Sequence, residues 1–121
     1  MTQKEISKDF LNLCAFGNSK KAFELYVDKN FKHHNAYFKG DADSLMIAME
    51  ESHKNSPNKI FEIRQIFHEG DSVALHSYIQ TESNLEIAVV HILKFENEKI
   101  IELWDIIQQF PENIINENGM F

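Results

Sequence analysis

Hydrophobic residues recur every three to four positions along the first part of the chain, a spacing that predicts helices. The first helix begins at a capping box, Thr2 and Glu5, and ends at Gly17, a residue suited to the turn after a helix. Ser19 is placed to cap a second, shorter helix that reaches Tyr26.

An extended segment and a third helix are predicted next. Residues 31–40, FKHHNAYFKG, lack helical spacing, so we expect a short strand or an extended segment there. Asp41 or Asp43 can cap the third helix. That helix should close before Ser56 and Pro57, because a residue that precedes proline disfavours helical geometry.

From Lys59 onward the hydrophobic period changes to two, which predicts strands. The turns between these strands are too short for a crossover, so consecutive strands should run antiparallel. The predicted strands are 60–67, 72–80, 85–95 and 99–110. Helices followed by an antiparallel sheet indicate an α+β fold, in which the helices cover one face of a curved sheet.

The last two strands each carry one ionisable residue among apolar neighbours. His91 shares a strand face with Leu93, and Asp105 shares one with Leu103. Residues that lie opposite each other on neighbouring strands point to the same side of the sheet. Matching the two apolar faces therefore pairs Phe95 with Ile101, Leu93 with Leu103, and His91 with Asp105.

Two interpretations of the His91–Asp105 pair stay open. Burying a carboxylate on an apolar wall is costly unless a partner compensates for the lost water. The pair can therefore be a structural contact between two strands. It can equally be a general base with a tuning partner at the bottom of a ligand pocket.

Length and charge restrict the classes of function. The 121 residues fit one domain, 1–121, and 43% hydrophobic residues are ample for a core. The formal net charge of -7 argues against nucleic acid or an anionic membrane surface as a partner, because both require a concentrated basic face. No apolar run approaches the roughly 20 residues that cross a bilayer, so we also expect no membrane insertion.

Cysteine and histidine usage points away from disulfides and metals. Cys14 is the single cysteine, and its position on the apolar stripe of the first helix predicts a buried, inert thiol. The six histidines form none of the usual metal-binding patterns, so we expect no metal site. The N-terminus lacks the pattern of a signal peptide, which favours a cytoplasmic protein.

Several short motifs in the second half of the chain resemble one family, the SnoaL-like polyketide cyclases of the nuclear transport factor 2-like superfamily. The resemblance extends upstream to His34 and Asn35, which are followed by Gly40. The matching residues of the second half are His91, Ile92 to Phe95, Glu102 to Asp105, Gln108 and Asn116 to Phe121. Two positions depart from the family pattern: Leu103 replaces a histidine, and Ala36 replaces a proline.

The resemblance implies a fold and a set of site residues. The fold would be a conical barrel, with N-terminal helices packed on a strongly curved antiparallel sheet that encloses a pocket. Asp105 would be the catalytic acid or base and His91 its partner, with no cofactor and no metal. Substrate-binding residues would be His34, Asn35, Leu93 and Leu103.

Together these features predict a cofactor-independent acid/base enzyme acting on a small apolar carbonyl compound, by aldol cyclisation or isomerisation. The alternative is a non-catalytic protein that binds or senses a small molecule in the same pocket. His76 and Tyr78 are expected on the outer face of the sheet. That face is apolar enough to predict a homodimer, and the C-terminal tail is expected to cover the pocket mouth or a dimer interface.

Overall fold

The computed structural model describes all residues from Met1 to Phe121 and contains three helices and five strands. The helices are α1 (Gln3–Ala15), α2 (Ser19–Tyr26) and α3 (Ala42–Asn55). The strands are β1 (Val27–His33), β2 (Asn58–Glu69), β3 (Ser72–Thr81), β4 (Glu86–Glu96) and β5 (Lys99–Gln109). The predicted α+β class is confirmed, as are the three helices and the four C-terminal strands.

The helix ends follow from their capping residues. The Thr2 hydroxyl accepts a hydrogen bond from the backbone N–H of Glu5, and the Glu5 side chain accepts one from the Thr2 N–H, as predicted for a capping box. Asp41 caps α3 by accepting from the N–H of Ser44. Between α1 and α2 the chain turns at Gly17, whose φ of 86° is the left-handed geometry that favours glycine.

The five strands form one curved sheet in the order β1-β5-β4-β3-β2. β2 to β5 are antiparallel to their neighbours, as predicted from their short turns. β1 pairs with β5 in parallel, which requires a long connection between the two strands. Helix α3 and the strands β2 to β4 supply that connection.

The helices pack on the inner face of the sheet, where they build the core. α1 contributes Ile6, Phe10 and Leu11 to that core. The strands contribute fully buried apolar residues near the β2–β3 and β4–β5 turns: Val73, Leu75, Leu93, Phe95, Ile100 and Leu103. This end of the sheet is filled by side chains, whereas the opposite end is wide enough to leave a cavity.

The register of β4 and β5 confirms two predicted pairs and corrects a third. Leu93 lies opposite Leu103, and His91 lies opposite Asp105. The pairing of Phe95 with Ile101 is wrong, because an irregularity after Lys94 brings Phe95 opposite Ile100. A β-bulge adds one residue to a strand and so reverses the faces beyond it.

The outer face of the sheet carries His76 and Tyr78, as predicted. The C-terminal tail folds back onto this face, and the Phe121 ring stacks on His76 with their centroids 4.5 Å apart. The guanidinium of Arg64 lies over the same ring at 5.0 Å. The tail therefore does not cover the pocket mouth.

None of the three helices is both long and apolar enough to cross a bilayer.

Candidate active site

A cavity of about 450 Å³ lies at the wider end of the fold, between the inner face of the sheet and helix α3. Its volume is within the range of small-molecule sites. Most of its wall is apolar, and Asp105 is the only acidic or basic residue other than histidine that lines it. The strand residues of the wall are Asn58, Phe61, Ile79, Thr81, Ile87, Val89, His91, Asp105 and Ile107.

His91 and Asp105 both line this cavity, as the alternation of β4 and β5 predicted. Side chains directly opposite each other on antiparallel strands have Cβ atoms about 4.5 to 5.5 Å apart. The two side chains nevertheless make no direct hydrogen bond. The Asp105 Oδ2 atom instead accepts a hydrogen bond from the Asn35 Nδ2 at 2.9 Å, and no donor within the chain bonds to Oδ1.

Asn35 is held in one orientation by the loop that follows β1. Its Oδ1 atom accepts from the backbone N–H of Tyr37 at 2.9 Å, which leaves the amide NH₂ group to face Asp105. The backbone N–H of Asn35 donates to the Nδ1 of His33 at 3.1 Å, and the Nε2 of His33 donates to the Lys39 carbonyl. These bonds place a lone pair on Nδ1 of His33 and a proton on its Nε2.

Loss of contact with water keeps the His91 side chain uncharged. Its Nδ1 atom is buried without a hydrogen-bond partner, and the residue lines the cavity. Burial lowers the pKa of His91 to about 4, although the nearby Asp105 carboxylate opposes this shift. An uncharged imidazole and a carboxylate acceptor therefore lie side by side on the cavity wall.

The structure brings Asn35 to the predicted pair, but it places three other expected substrate-binding residues outside the cavity. His34 lies on the outer face, where its ring stacks on Trp104 at 4.9 Å and Nε2 contacts Glu102 at 2.6 Å. Leu93 and Leu103 are fully buried in the closed core beneath the cavity. The cavity begins only beyond the Leu93–Leu103 pair, so none of these three side chains lines it.

Sequence reasoning missed other cavity residues. Helix α3 presents His53, and the loop after β1 presents Tyr37 and Phe38 at the cavity rim. Cys14 also lines the cavity, and burial raises the pKa of its thiol. The spacing of His53 from Met49 placed it on the inner face of α3, and that signal could have found it.

No group of three or more histidine, cysteine, aspartate or glutamate side chains lies close enough to hold a metal ion. The six histidines are distributed over both faces of the sheet, α3 and the β1 end. His33, His53 and His91 face inward, whereas His34, His68 and His76 lie at or near the outer surface. Acid/base and hydrogen-bonding chemistry is what the cavity residues offer.

Comparison with known proteins agrees with the fold. No family model matches the sequence, and no curated protein matches it. An NTF2-like protein of unknown function from Cytophaga hutchinsonii matches with a TM-score of 0.72 and 19% identity, over 89% of this chain and 91% of that one. An NTF2-like protein of unknown function from Burkholderia xenovorans matches with a TM-score of 0.73 and 18% identity, over 93% and 88%.

A SnoaL-like polyketide cyclase from Agrobacterium tumefaciens is also similar. It matches with a TM-score of 0.70 and 15% identity, over 89% of this chain and 92% of that one. Identities this low leave the chemistry open, but the shared helices and curved sheet span almost the whole chain. The chain therefore has the fold of these NTF2-like proteins, a fold shared by the SnoaL-like polyketide cyclase from Agrobacterium tumefaciens.

Proposed function

We propose that the protein catalyses proton transfer next to the carbonyl group of a neutral, mostly apolar small molecule, without a cofactor. The observation that carries this proposal is the pairing of Asp105 and an uncharged His91 on the wall of an apolar cavity. A carboxylate can accept the proton, and a neutral imidazole can stabilise the oxygen that becomes negative.

Asp105 is the base in this mechanism. Asn35 holds the Oδ2 atom at 2.9 Å, so Oδ1 is free to take a proton from the carbon beside the substrate carbonyl. The electron pair of the broken C–H bond forms a carbon–carbon double bond. The former carbonyl oxygen takes the negative charge of the resulting enolate. In a substrate with a carbon–carbon double bond next to the deprotonated carbon, return of the proton to the far end of that double bond completes an isomerisation. Attack of the enolate carbon on a second carbonyl, with the proton passing to the new alkoxide, completes an aldol cyclisation.

His91 is the hydrogen-bond donor to the enolate oxygen. Buried N–H groups without a partner are rarer than buried acceptors without one, so the unpartnered Nδ1 is assigned the lone pair and Nε2 the proton. This role differs from the expectation that His91 is a tuning partner of Asp105. Its low pKa and the absence of a direct bond to Asp105 support the donor role.

The composition of the cavity wall indicates the class of substrate. No lysine or arginine lines the cavity, and Asp105 would repel a carboxylate or phosphate placed beside it. Neutral ketones and aldehydes need no cationic partner, and Asp105 does not repel them. The Agrobacterium protein, described as a SnoaL-like polyketide cyclase, has the same fold, and a polyketide-like carbonyl compound is consistent with this wall.

The test uses 2-acetylnaphthalene, a neutral aromatic ketone, in D₂O. We expect the protein to accelerate exchange of the methyl protons, which are adjacent to the carbonyl, and NMR follows their loss. Asp105→Asn keeps the size of the side chain but removes the base, and it should reduce this rate about 100-fold or more. His91→Leu should reduce the rate while leaving binding of the ketone in place.

The second candidate is a binding or sensing protein with the same cavity, favoured by the largely apolar wall. In that case the wild-type protein binds 2-acetylnaphthalene but exchanges its methyl protons at the rate of the buffer. Asp105→Asn should then preserve or improve affinity, because it removes a charge from an apolar wall. This combination of results would overturn the enzymatic proposal.

We also infer that the protein forms a homodimer through the outer face of β4 and β5. The C-terminal tail covers the part of this face that bears His76 and Tyr78. The neighbouring part keeps Ile92 and Trp104 partly exposed and Ile106 59% exposed. A contiguous apolar surface of this kind is suited to a second copy of the chain.

A further inference from the structure

The loop between β1 and α3 carries two large aromatic side chains, which lie at the cavity rim and are exposed to solvent. Tyr37 is 88% exposed and Phe38 47% exposed, yet both line the cavity. Aromatic rings left in water at the edge of an apolar cavity gain free energy when a ligand covers them. Their position therefore points to a role in covering the cavity.

The loop is a compact unit that is fastened at its base. The backbone N–H of His33 donates to the Gly40 carbonyl at 3.2 Å, and the His33 ring bonds to Asn35 at one nitrogen and Lys39 at the other. Within the loop, the N–H of Tyr37 donates to Asn35 Oδ1. The segment can therefore move about its ends while its internal bonds persist.

Beyond these contacts with His33, residues 35–39 make one hydrogen bond to the rest of the protein, from Asn35 Nδ2 to Asp105 Oδ2. Its acceptor is a carboxyl group on an apolar wall, and hydrogen bonds to charged groups are stronger than those between neutral groups. A carboxylic acid accepts more weakly, so protonation of Asp105 weakens the single bond that holds the loop to β5.

We propose that residues 35–39 form a lid whose latch is the Asn35–Asp105 hydrogen bond, so that proton uptake by Asp105 releases the lid. The lid closes while Asp105 is ionised and ready to act as a base. It loosens once the carboxylate has taken the substrate proton, and it closes again when that proton has been passed on. The link to turnover rests on the proposed function, whereas the latch itself does not.

The test is an exchange of the latch partners. Asn35→Asp places two carboxylates against each other and should open the lid, while the introduced carboxylate can still accept from the Tyr37 N–H. The double variant Asn35→Asp/Asp105→Asn restores a charge-assisted bond with donor and acceptor reversed. Glu51→Gln, the same carboxylate-to-amide change on the exposed side of α3, is the control.

NMR relaxation of the backbone amides of residues 35–39 reports the lid directly, without a ligand. We expect order parameters of about 0.85 for wild type, the control and the double variant, and below about 0.6 for Asn35→Asp. Equal order parameters in all four proteins, or a double variant as mobile as Asn35→Asp, would overturn the proposal. Asn35→Ala provides the open state if Asn35→Asp does not fold.

Stopped-flow fluorescence with 2-acetylnaphthalene gives the second readout. An open lid should raise both the association and the dissociation rate about tenfold in Asn35→Asp, and the double variant should return both to within twofold of wild type. A change in dissociation alone would indicate a lost ligand contact and contradict a lid. The double variant lacks a base at position 105, so restored lid order without turnover separates the latch from the catalytic proposal.

Discussion

At the scale of single residues, the charge state of His91 depends on its burial. The imidazole lies on the cavity wall with Nδ1 unpartnered, and its pKa is lowered from 6.5 to about 4. A neutral ring can donate one hydrogen bond without adding a charge to an apolar wall. The same desolvation makes the stability of the folded protein sensitive to acid.

His91 should make unfolding easier as the pH falls from 6.5 to 4. In this window the unfolded chain binds a proton at His91 and the folded chain does not, so protonation favours the unfolded state. At 1.36 kcal/mol per pKa unit, this residue should cost about 3 kcal/mol of unfolding free energy by pH 4. Urea unfolding across this range measures the loss.

The matched comparison replaces the imidazole at two positions. His91→Gln should flatten the dependence of unfolding free energy on pH between 6.5 and 4. His68→Gln, a change of an exposed histidine on β2, controls for losing an imidazole elsewhere. Parallel pH profiles for the wild type and His91→Gln would contradict a desolvated, uncharged His91.

The choice between neighbouring histidines marks the limit of sequence reasoning at this scale. Neighbouring residues of an extended segment point to opposite sides, so only one of His33 and His34 can face inward. The resemblance selected His34, but β1 pairs in parallel with β5 and this register turns His33 inward and His34 toward Trp104. That pairing joins residues about 70 positions apart, so the spacing of neighbouring residues cannot predict it.

At the scale of elements, local patterns predicted the strands well and their irregularities poorly. Alternation placed His91 opposite Asp105, because a one-residue slip would have moved every apolar side chain of β5 to the wrong face. The bulge beyond Lys94 was missed, since consecutive Ile100 and Ile101 satisfy either register equally. The cavity likewise depends on how far the sheet curves, which is set by packing of all three helices.

The turn between α1 and α2 supports a testable prediction. Gly17→Ala should destabilise the fold by about 1 to 3 kcal/mol, because alanine is strained at a φ of 86°. The added Cβ would also lie 2.6 Å from the Cδ2 of His53 and push the ring. Thermal unfolding measures the loss, and affinity for 2-acetylnaphthalene should fall because His53 lines the cavity.

A double variant separates the two contributions. Gly17→Ala/His53→Ala removes the steric contact but keeps the backbone strain, so it should be less destabilised than the sum of the two single changes. Simple additivity would mean that the His53 ring moves aside without cost. In that case only the left-handed backbone requires glycine at this turn.

At the scale of the whole molecule, the two faces of the sheet have different roles. The inner face holds the core and the cavity, while the outer face keeps an apolar strip along β4 and β5 beside the docked C-terminal Phe121. Self-association through this strip must overcome repulsion between two chains that each carry a formal charge of -7. Added salt screens that repulsion, so dimerisation should strengthen from low to physiological ionic strength.

Ile106→Glu should convert the proposed homodimer to a monomer, because it buries a carboxylate in the strip and adds further negative charge. Ile47→Glu makes the same change on α3, where the side chain is 51% exposed on the opposite side of the fold, and should leave the dimer intact. Sedimentation velocity at micromolar concentration distinguishes the two.

A monomeric wild-type protein at every salt concentration would contradict the interface, and loss of the dimer in both variants would place it elsewhere. If the dimer dissociates only in Ile106→Glu while ketone exchange persists, then the outer face serves assembly and the cavity works within each chain.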